Sequence, residues 1–489
     1  MSFDLESGRL QGDLPTTDPK TAAEAVGSED LVLVSGFGGV GYPKRVPEAL
    51  AADERELALS VVSGGGVGAE LDDRLVESGK LARRYPFQTR RASREAINDG
   101  SVAFHDRHIS RFGDEIRLGD LGTPDVAIIE AVAVGKDWLV PSTSIGHSPS
   151  FVASARKLIV EVNHAQPLEL ARVHDIDLRK LPPNMESIAL DGPIDRIGSP
   201  TIEFDPEKLV GVVETERADD PYTFRDPTAA DLAIASHLKG FLEAEIERNP
   251  LCEETVHLQF GVGSMGNALM GALDDIEFGD REVVYFGEVF QDGLLDSLDS
   301  GLLAGASATS LALSEAGQQR LFDDIERYAE NTVLRPADIS NNPALIERFG
   351  VVGINSAVEV DLYGNANATH LGGTRMINGI GGSGDFNRNS RLGIIALPAT
   401  ASEGEISRIV PMTPHVDHTE HDFSIIVTEH GVADLRGLSP RERAEAIIEV
   451  ADPGFREELD EYRARAVRGG GNTPHDLETA LSWHAGWSS

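Results

Sequence analysis

Cysteine is almost absent from this sequence, and so are long hydrophobic runs. Cys252 is the single cysteine, so the chain cannot form an internal disulfide or hold a metal ion in a thiolate cluster. The ordinary role of such a residue is that of a small buried apolar side chain. No stretch of about 18 apolar residues is present, which argues against a membrane partner. The first residues lack the basic and then apolar pattern of a signal peptide, so we expect a cytoplasmic protein.

Positive charge is also in short supply. Lys+Arg 43 against Asp+Glu 81 give a formal net charge of −38, and no lysine follows Lys239. Because phosphate binding needs a cationic surface, this balance excludes nucleic acid as a partner. The acidic excess runs along the whole chain, which favours a protein from a halophile, where a Debye length of about 3 Å in molar salt screens repulsion between surface carboxylates. An acidic protein from an ordinary cell is the alternative.

A repeated pattern organises the chain. At 489 residues it exceeds one typical core, so two or three α/β units are expected. Residues 31–50 predict a buried strand, a glycine turn and a helix, and residues 256–273 repeat this pattern at an offset of 225 residues. We therefore predict two similar open α/β domains with largely parallel sheets, residues 1–225 and residues 226–489. Further strands are predicted at residues 125–134, 157–163, 351–364, 391–399 and 422–431.

Three segments match the G-x-G-x-x-G pattern of dinucleotide-binding turns. They are GFGGVG from Gly36, GVGSMG from Gly261 and GIGGSG from Gly379. The first follows a strand, but the next strand ends at Ser63 without the acidic residue that would hold a ribose, which argues against an oxidoreductase. What remains is a physical expectation, because glycine turns at strand ends expose backbone N–H groups that stabilise phosphates or oxyanions.

One acidic residue stands at the end of a predicted strand. In the second copy the strand EVVYF runs directly into Gly287 and Glu288. Ligands of open parallel sheets bind at the carboxyl ends of the strands, so Glu288 occupies the position of a reacting group. A purely structural carboxylate is unusual there, since burying an unpaired charge is costly. An exposed loop glutamate paired with an arginine is the alternative.

A run of three histidines, HVDHTEHD, has a spacing that suggests a metal site. The histidines are His415, His418 and His421. On a helix, residues i and i+3 share a face but residue i+6 has left it, and Pro411 and Pro414 upstream favour a loop. A metal site and a plain polar connection between two strands both stay open on these residues alone.

The sequence resembles the acetyl-CoA hydrolase/transferase family, and within it the succinyl-CoA:acetate CoA-transferase branch. The similarity extends over nearly the whole chain and is most specific in YFGEVFQD, ISNNPALIERFGVVGINSAVEVDLYGNANATH, GGTRMINGIGGSGDF and IVPMTPHVDHTEHDFSIIVTEHGVADLRGLSPRERA. The resemblance implies a class I CoA-transferase-like fold with two similar α/β halves. It also implies no metal ion and no cofactor beyond the coenzyme A thioester substrate, which favours the polar connection for the histidine run.

Individual residues receive roles from this resemblance. Glu288 matches the family's glutamate nucleophile, in a block that resembles E-V-x-Q-D. Gly382 matches the glycine whose backbone N–H contacts the acyl oxygen, and Val262 is a candidate second oxyanion donor. Asn341, together with Gly382, matches positions that contact coenzyme A. Ser402 stands where relatives carry a lysine near the coenzyme A phosphates, a departure that weakens the expected phosphate contact.

The activity that the resemblance implies is acyl-CoA:carboxylate CoA transfer. The Glu288 carboxylate would attack the thioester carbonyl and pass through a glutamyl-CoA thioester, without an external general base. The expected partners are acyl-CoA and small carboxylates, acetyl with succinyl by the branch, and a homodimer is implied as well. Two alternatives stay open: an acetyl-CoA hydrolase that uses the same glutamate with water as acceptor, and a non-catalytic protein that binds coenzyme A.

Overall fold

The computed structural model describes residues 4–262, 264–273 and 276–484, which form two compact units. Unit 1 comprises the chain up to Thr223 together with Phe286–Leu295 and Gly305–Leu345, and unit 2 comprises Phe224–Tyr285, Asp296–Ala304 and the chain from Ile346 onwards. Glu288 and Asn341 therefore belong to unit 1, whereas Val262, Gly382 and Ser402 belong to unit 2. The domain division into residues 1–225 and 226–489 stays a prediction.

Short strands make up much of the described chain. In chain order they are β1 Leu10–Gln11, β2 Leu31–Val34, β3 Leu59–Ser63, β4 Leu81–Tyr85, β5 Ala103–Phe104, β6 Val126–Gly135, β7 Trp138–Pro141, β8 Lys157–Asn163, β9 Ile202–Glu203, β10 Leu209–Thr215, β11 Thr255–Phe260, β12 Glu282–Phe286, β13 Val289–Phe290, β14 Gly305–Ala308, β15 Ser310–Leu311, β16 Thr332–Leu334, β17 Val352–Asn355, β18 Glu359–Asp361, β19 Ala366–Asn367, β20 His370–Leu371, β21 Arg375–Met376, β22 Leu392–Ala396, β23 Thr400–Ala401, β24 Ile406–Ser407, β25 Ile409–Val410, β26 Ile425–Thr428 and β27 Gly431–Asp434.

Helices connect many of these strands. In chain order they are α1 Pro19–Ala23, α2 Arg45–Ala51, α3 Ala69–Asp72, α4 Arg74–Glu77, α5 Arg91–Asn98, α6 Ile109–Leu118, α7 Ser148–Ser154, α8 Ala229–Arg248, α9 Ser264–Leu273, α10 Asp292–Asp299, α11 Glu315–Asp323, α12 Ile325–Tyr328, α13 Ala337–Ser340, α14 Pro343–Arg348, α15 Ser383–Asn389, α16 Pro440–Glu449 and α17 Pro453–Gly469. Among the described residues, no helix is both long and apolar enough to cross a membrane.

Unit 1 is built around a ten-stranded sheet. Seven strands pair in parallel in the order β10-β8-β6-β2-β3-β4-β5, and β1 joins β6 in parallel, while β7 and β9 add antiparallel pairs. All ten residues of β6 are buried, as expected for a strand covered on both faces of a parallel sheet. Side chains of the surrounding helices, including Val46, Leu71 and Ala96, complete this core.

Unit 2 contains a second, mainly parallel sheet. Strands β12, β11, β17, β22 and β26 pair in parallel in that order, and β27 pairs with β26 in the antiparallel sense. The long helix α8 packs on β26 and β27. It begins at a capping box, in which Thr228 Oγ1 accepts from Asp231 N and the Asp231 carboxylate accepts from Thr228 N. The predicted α/β class with largely parallel sheets is thus confirmed.

Both copies of the predicted strand–turn–helix–strand pattern are present. They are β2-α2-β3 and β11-α9-β12, each with its two strands paired in parallel. The turns differ, however. In the first copy four glycines between Gly36 and Gly41 have positive φ, and the helix begins only at Arg45. In the second copy the helix begins at Ser264, directly after the turn.

Four of the five further predicted strands occur as single strands, namely β6, β8, β22 and β26. The segment at residues 351–364 instead forms two strands, β17 and β18. Strand β17 lies within the parallel sheet of unit 2, whereas β18 pairs with β19 and β25 in a separate three-stranded sheet. The chain therefore leaves one sheet for another within a segment that the sequence predicted as one strand.

Candidate active site

Glu288 lies just beyond the carboxyl end of β12, and unit 1 holds its backbone on both sides. Gly287 N donates to Ser307 O at 3.0 Å, and the Glu288 carbonyl accepts from Thr309 N at 2.7 Å and Ser310 N at 3.2 Å. The Glu288 side chain is half-buried. Its place at the end of a strand agrees with the sequence-based expectation, and these hydrogen bonds fix the direction in which the side chain leaves the backbone.

Asn341 holds the carboxylate itself. Its side chain is fully buried, and its Nδ2 donates to Glu288 Oε1 at 2.8 Å. Ser340 Oγ donates to Asn341 Oδ1 at 2.8 Å, which sets the amide so that its NH₂ group faces the glutamate. The residue that the resemblance implied as a coenzyme A contact therefore also orients the predicted nucleophile.

A buried scaffold in unit 1 supports these two residues, and the sequence had not pointed to it. Thr309 Oγ1 donates to Arg335 O at 2.7 Å and accepts from Gly146 N at 3.0 Å. The fully buried Arg335 donates to Ser307 Oγ at 3.0 Å and to Asp175. Burial lowers the pKa of Arg335 to about 10, against the opposing effect of the Asp175 carboxylate, so the guanidinium stays charged at neutral pH. Arg335 directly follows a short apolar strand, the same local signal that singled out Glu288.

The GFGGVG loop, residues 36–41, lies against the strand that follows Glu288. A Cβ atom at Gly38, whose φ is +66°, would lie 3.1 Å from Ser310 Oγ and 3.5 Å from a methyl group of Val289. Gly39 N donates to Gly66 O at 2.8 Å, which joins this loop to the next glycine-rich turn. The left-handed backbone and the close approach both require glycine here, so the motif serves a tight loop beside Glu288.

A buried charge network holds the end of that loop. Lys44 is completely buried, and its Nζ donates to Tyr42 O at 2.8 Å, Glu130 Oε2 at 2.6 Å and Asp219 Oδ1 at 2.7 Å. The Asp219 carboxylate also accepts from Gly41 N at 3.2 Å. Burial alone would lower the pKa of Lys44, but the Asp219 and Glu130 carboxylates outweigh it and raise the pKa. Lys44 therefore remains a cation that ties the loop to the sheet.

Gly382 belongs to unit 2, where it precedes the first residue of α15. It is buried, and its carbonyl accepts from Phe386 N at 3.0 Å as the helix begins. The preceding Gly381 has a φ of +58°, so the backbone turns sharply into the helix. Backbone N–H groups at a helix start lack helical partners, which suits Gly382 to the oxyanion role that the resemblance implied.

The other two predicted unit 2 positions are exposed. Val262 follows β11 and is 42% exposed, and the adjoining Gly263 of its turn lies outside the described residues. Ser402 is exposed and has a φ of +50° at the start of the short 3-10 turn Ser402–Gly404. Their assigned roles stay predictions.

The three histidines of the HVDHTEHD run point to different surroundings. His415 Nε2 lies 3.1 Å from Asp417 Oδ1, and its ring contacts that of His370. His418 is buried and approaches Ser383, whereas the His421 side chain is 81% exposed. In the described part of the chain, no group of three or more histidine, cysteine or acidic side chains is arranged to hold a metal ion. The segment takes the form of a polar connection between strands.

Comparison with known sequences identifies the family. The model of the acetyl-CoA hydrolase/transferase N-terminal domain matches residues 15–214, and that of the C-terminal domain matches residues 317–463. The chain belongs to the acetyl-CoA hydrolase/transferase family. The resemblance inferred from the sequence blocks is therefore confirmed, and the protein is an enzyme of this family.

Some relatives are named as CoA-transferases and others as acetyl-CoA hydrolases. The chain is 43% identical over 483 residues to the succinyl-CoA:acetate CoA-transferase of Clostridium kluyveri, covering 97% of this chain and 89% of the relative. It is 39% identical over 488 residues to the acetyl-CoA hydrolase of Schizosaccharomyces pombe, covering 95% of this chain and 93% of the relative. The crystal structure of RipA from Yersinia pestis matches with a TM-score of 0.71 at 23% identity, over 93% of this chain and 97% of RipA, which supports the fold alone.

Proposed function

We propose that this family member transfers coenzyme A from an acyl-CoA to a free carboxylate, with Glu288 as the nucleophile. The observation that carries the proposal is the hydrogen bond between Asn341 Nδ2 and Glu288 Oε1, which holds a half-buried carboxylate at the end of a strand. A carboxylate is ionised at neutral pH and needs no general base to act as a nucleophile. The similarity to a named CoA-transferase at 43% identity supports this choice.

The reaction proceeds through two covalent species on Glu288. A carboxylate oxygen attacks the thioester carbonyl, the C–S bond breaks, and an acyl-glutamyl anhydride and the CoA thiolate are formed. The thiolate then attacks the glutamyl carbonyl of the anhydride, which releases the first carboxylate and leaves a glutamyl-CoA thioester. An incoming carboxylate reverses both steps and leaves as the new acyl-CoA, so Glu288 is regenerated.

Each attack places negative charge on a carbonyl oxygen, which requires hydrogen-bond donors. We assign the backbone N–H of Gly382 to this oxyanion, with that of Val262 as a candidate second donor. Removal of one such donor costs about 100-fold to 1000-fold in rate in well-studied enzymes. Asn341 and Gly382 are also the proposed contacts to coenzyme A. Ser402 is assigned to the phosphate region only by its alignment with a family lysine.

The substrate pair that we propose is acetyl and succinyl, since the Clostridium kluyveri relative is named for it. We propose no metal ion and no cofactor beyond the coenzyme A thioester. We also propose a homodimer, which the family resemblance implies. A salt-rich cytoplasm is proposed as well, because a net charge of −38 requires screening. Small carboxylate acceptors are anionic as well, so screening also favours their approach to an acidic protein.

Hydrolysis of acetyl-CoA is the second candidate function, and the name of the Schizosaccharomyces pombe relative favours it. Both reactions share the Glu288 intermediate and differ only in the acceptor. The deciding experiment follows release of free CoA from acetyl-CoA in molar KCl, with and without succinate. We expect exchange to exceed hydrolysis by a large factor. Equal rates with and without succinate would establish the hydrolase instead.

Trapping tests the covalent mechanism separately from the acceptor. Borohydride reduces a glutamyl thioester, so enzyme incubated with acyl-CoA and borohydride should be inactivated and should carry a mass change at Glu288. Enzyme treated with borohydride alone is the control and should stay active. A mass change at a different carboxylate would refute the assignment of Glu288.

A further inference from the structure

His418, the central histidine of the HVDHTEHD run, lies next to the loop that carries Gly382. The side chain is 1% exposed, and its Nε2 lies 3.3 Å from Ser383 Oγ. Ser383 Oγ in turn lies 2.8 Å from Ile380 O. A hydroxyl has one hydrogen, and donation of that hydrogen to the Ile380 carbonyl leaves the Ser383 lone pairs to accept from His418 Nε2–H. The three groups therefore form one hydrogen-bonded chain across the residues that flank Gly382.

The imidazole projects from a segment that is itself fixed. Ala366 N donates to His418 O at 2.8 Å, and His418 N donates to Ala366 O at 3.0 Å, which is a two-way backbone bridge. The neighbouring Asp417 carboxylate accepts from Ala368 N at 2.6 Å and from Thr369 Oγ1 at 2.8 Å. Since backbone and side-chain bonds both hold this segment, His418 has a defined position from which to hold Ser383.

The loop that carries Gly382 needs such support more than α15, the helix that follows it. Helix α15 is anchored by Asn387, whose Oδ1 accepts from Asn355 Nδ2 at 2.9 Å, and Asn355 also bonds Gln259 of the central strand β11. The loop before the helix contains Gly379, Gly381 and Gly382, and glycine has little conformational preference of its own. A side-chain bond at Ser383 therefore restricts the conformation of this loop.

We propose that His418 is a positioning residue that sets the direction of the Gly382 backbone N–H through Ser383. This inference rests on the proposed role of Gly382 as an oxyanion donor. His418 acts through the Ser383 hydroxyl and the turn that this hydroxyl closes. The histidine run thereby has a function that requires no metal ion, because one of its members orders the glycine loop.

The central test replaces His418 by leucine and Ser383 by alanine. An oxyanion donor acts mainly in the transition state, so its misplacement should lower kcat while KM for acyl-CoA stays within about twofold. A displacement of about 1 Å can cost on the order of 100-fold, and we expect each variant to lose about 10-fold to 100-fold in kcat for exchange. Because both changes remove the same bond, His418→Leu/Ser383→Ala should lose no more than the worse single variant.

A conservative variant and a matched control separate positioning from general stability. His418→Gln places an amide N–H near the position of Nε2 and should recover kcat to within about threefold of wild type, since it restores the donor to Ser383. His421→Leu removes an exposed histidine three residues away and should leave kcat unchanged. Thermal melting in molar KCl is recorded for every variant.

The outcomes distinguish this inference from the proposed function. If His418→Leu keeps wild-type kcat, or if His418→Gln is no better than His418→Leu, the positioning role is wrong. A lower kcat accompanied by a higher KM and a lower melting temperature would show only a structural role for His418. That result would also overturn the positioning role. Glu288→Ala, assayed alongside, tests the proposed function independently, because exchange that survives in that variant refutes the nucleophile whatever the His418 variants show.

Discussion

Glu288 and Asn341 meet through a hydrogen bond of 2.8 Å in unit 1. The amide of Asn341 is itself held by Ser340, so one oxygen of the glutamate has a fixed partner. A nucleophile that is already oriented has less entropy to lose when it reaches the carbonyl that it attacks. The proposed reaction therefore depends on the length of the Glu288 side chain and on the direction in which its carboxylate points.

Substitution of Glu288 should separate the loss of the nucleophile from its displacement. Glu288→Ala removes the nucleophile and should abolish exchange. Glu288→Asp keeps the charge but withdraws the carboxylate by one methylene, and we expect a loss on the order of 100-fold in kcat. Steady-state kinetics in molar KCl measure both effects. Unchanged melting temperatures are the control, and substantial exchange by Glu288→Ala would contradict the mechanism.

Substitution of Asn341 should show how far orientation matters. Asn341→Ala removes the hydrogen bond to Glu288 and should lower kcat about 10-fold to 100-fold, since a hydrogen bond to a charged group contributes about 1.5–3 kcal/mol. Asn341→Asp should be worse, because a second carboxylate beside Glu288 disfavours its ionised form. Ser340→Ala loosens the amide without removing it and serves as the matched variant with a smaller effect. If all three variants kept the kcat of wild type, the hydrogen bond between Asn341 and Glu288 would play no part in catalysis.

Among the elements of unit 1, the segment around His174 joins an early part of the chain to β16. Asp175 N donates to Leu334 O at 2.8 Å, and Leu334 N donates to Val173 O at 2.7 Å. The buried His174 imidazole donates from Nε2 to Ser142 O at 3.0 Å. Burial lowers the pKa of His174 to about 4, and its backbone hydrogen bonds only partly oppose this. The folded enzyme therefore holds this histidine neutral at a strand junction close to Arg335.

This histidine predicts a specific dependence of stability on pH. The pKa is depressed in the folded state, so the contribution of His174 is fully present above its unfolded pKa of about 6.5. It is lost as pH falls from there to about 4, which corresponds to about 3 kcal/mol if the histidine titrates alone. His174→Gln cannot titrate, so its unfolding free energy, measured by urea titration in molar KCl, should fall less than that of wild type between pH 7 and pH 4.5. The same fall in both proteins would remove His174 as a cause.

Charge dominates the behaviour of the whole molecule. With a net charge of −38, repulsion between carboxylates opposes the compact state in dilute buffer. Arginine carries most of the positive charge, yet Lys44 persists in the interior, where one compact ammonium reaches Tyr42, Glu130 and Asp219. The buried lysine is therefore held by specific hydrogen bonds, whereas repulsion between the surface carboxylates depends on the salt concentration of the solvent.

Stability should accordingly rise with salt. The Debye length falls from about 10 Å at 0.1 M to about 3 Å at 1 M, so most of the repulsion between surface carboxylates is screened in molar KCl. Thermal melts across this range should show an increasing melting temperature. Melts in equal concentrations of sucrose control for effects that do not involve ions. A melting temperature that stays flat or falls with KCl would exclude adaptation to salt as the reason for the charge.

Much of the local structure was predictable, because its signals are local. Apolar runs located β6, β8, β22 and β26, and glycine turns located both copies of the strand–turn–helix–strand pattern. The split of residues 351–364 into β17 and β18 was not predicted, because what separates the two strands is the sheet that each one joins. Pairing partners are distant in sequence, and composition carries no record of them.

The sequence by itself determined the family, the α/β class and the candidacy of Glu288, because these depend on motifs and on the position of a residue at the end of a strand. Only the tertiary structure decided which side chains surround the candidates. Asn341 reaches Glu288 across 53 residues, Asp219 reaches Lys44 across 175 and His418 reaches Ser383 across 35. Each contact joins polar groups that burial forces to find partners, and no local pattern specifies a partner so far along the chain.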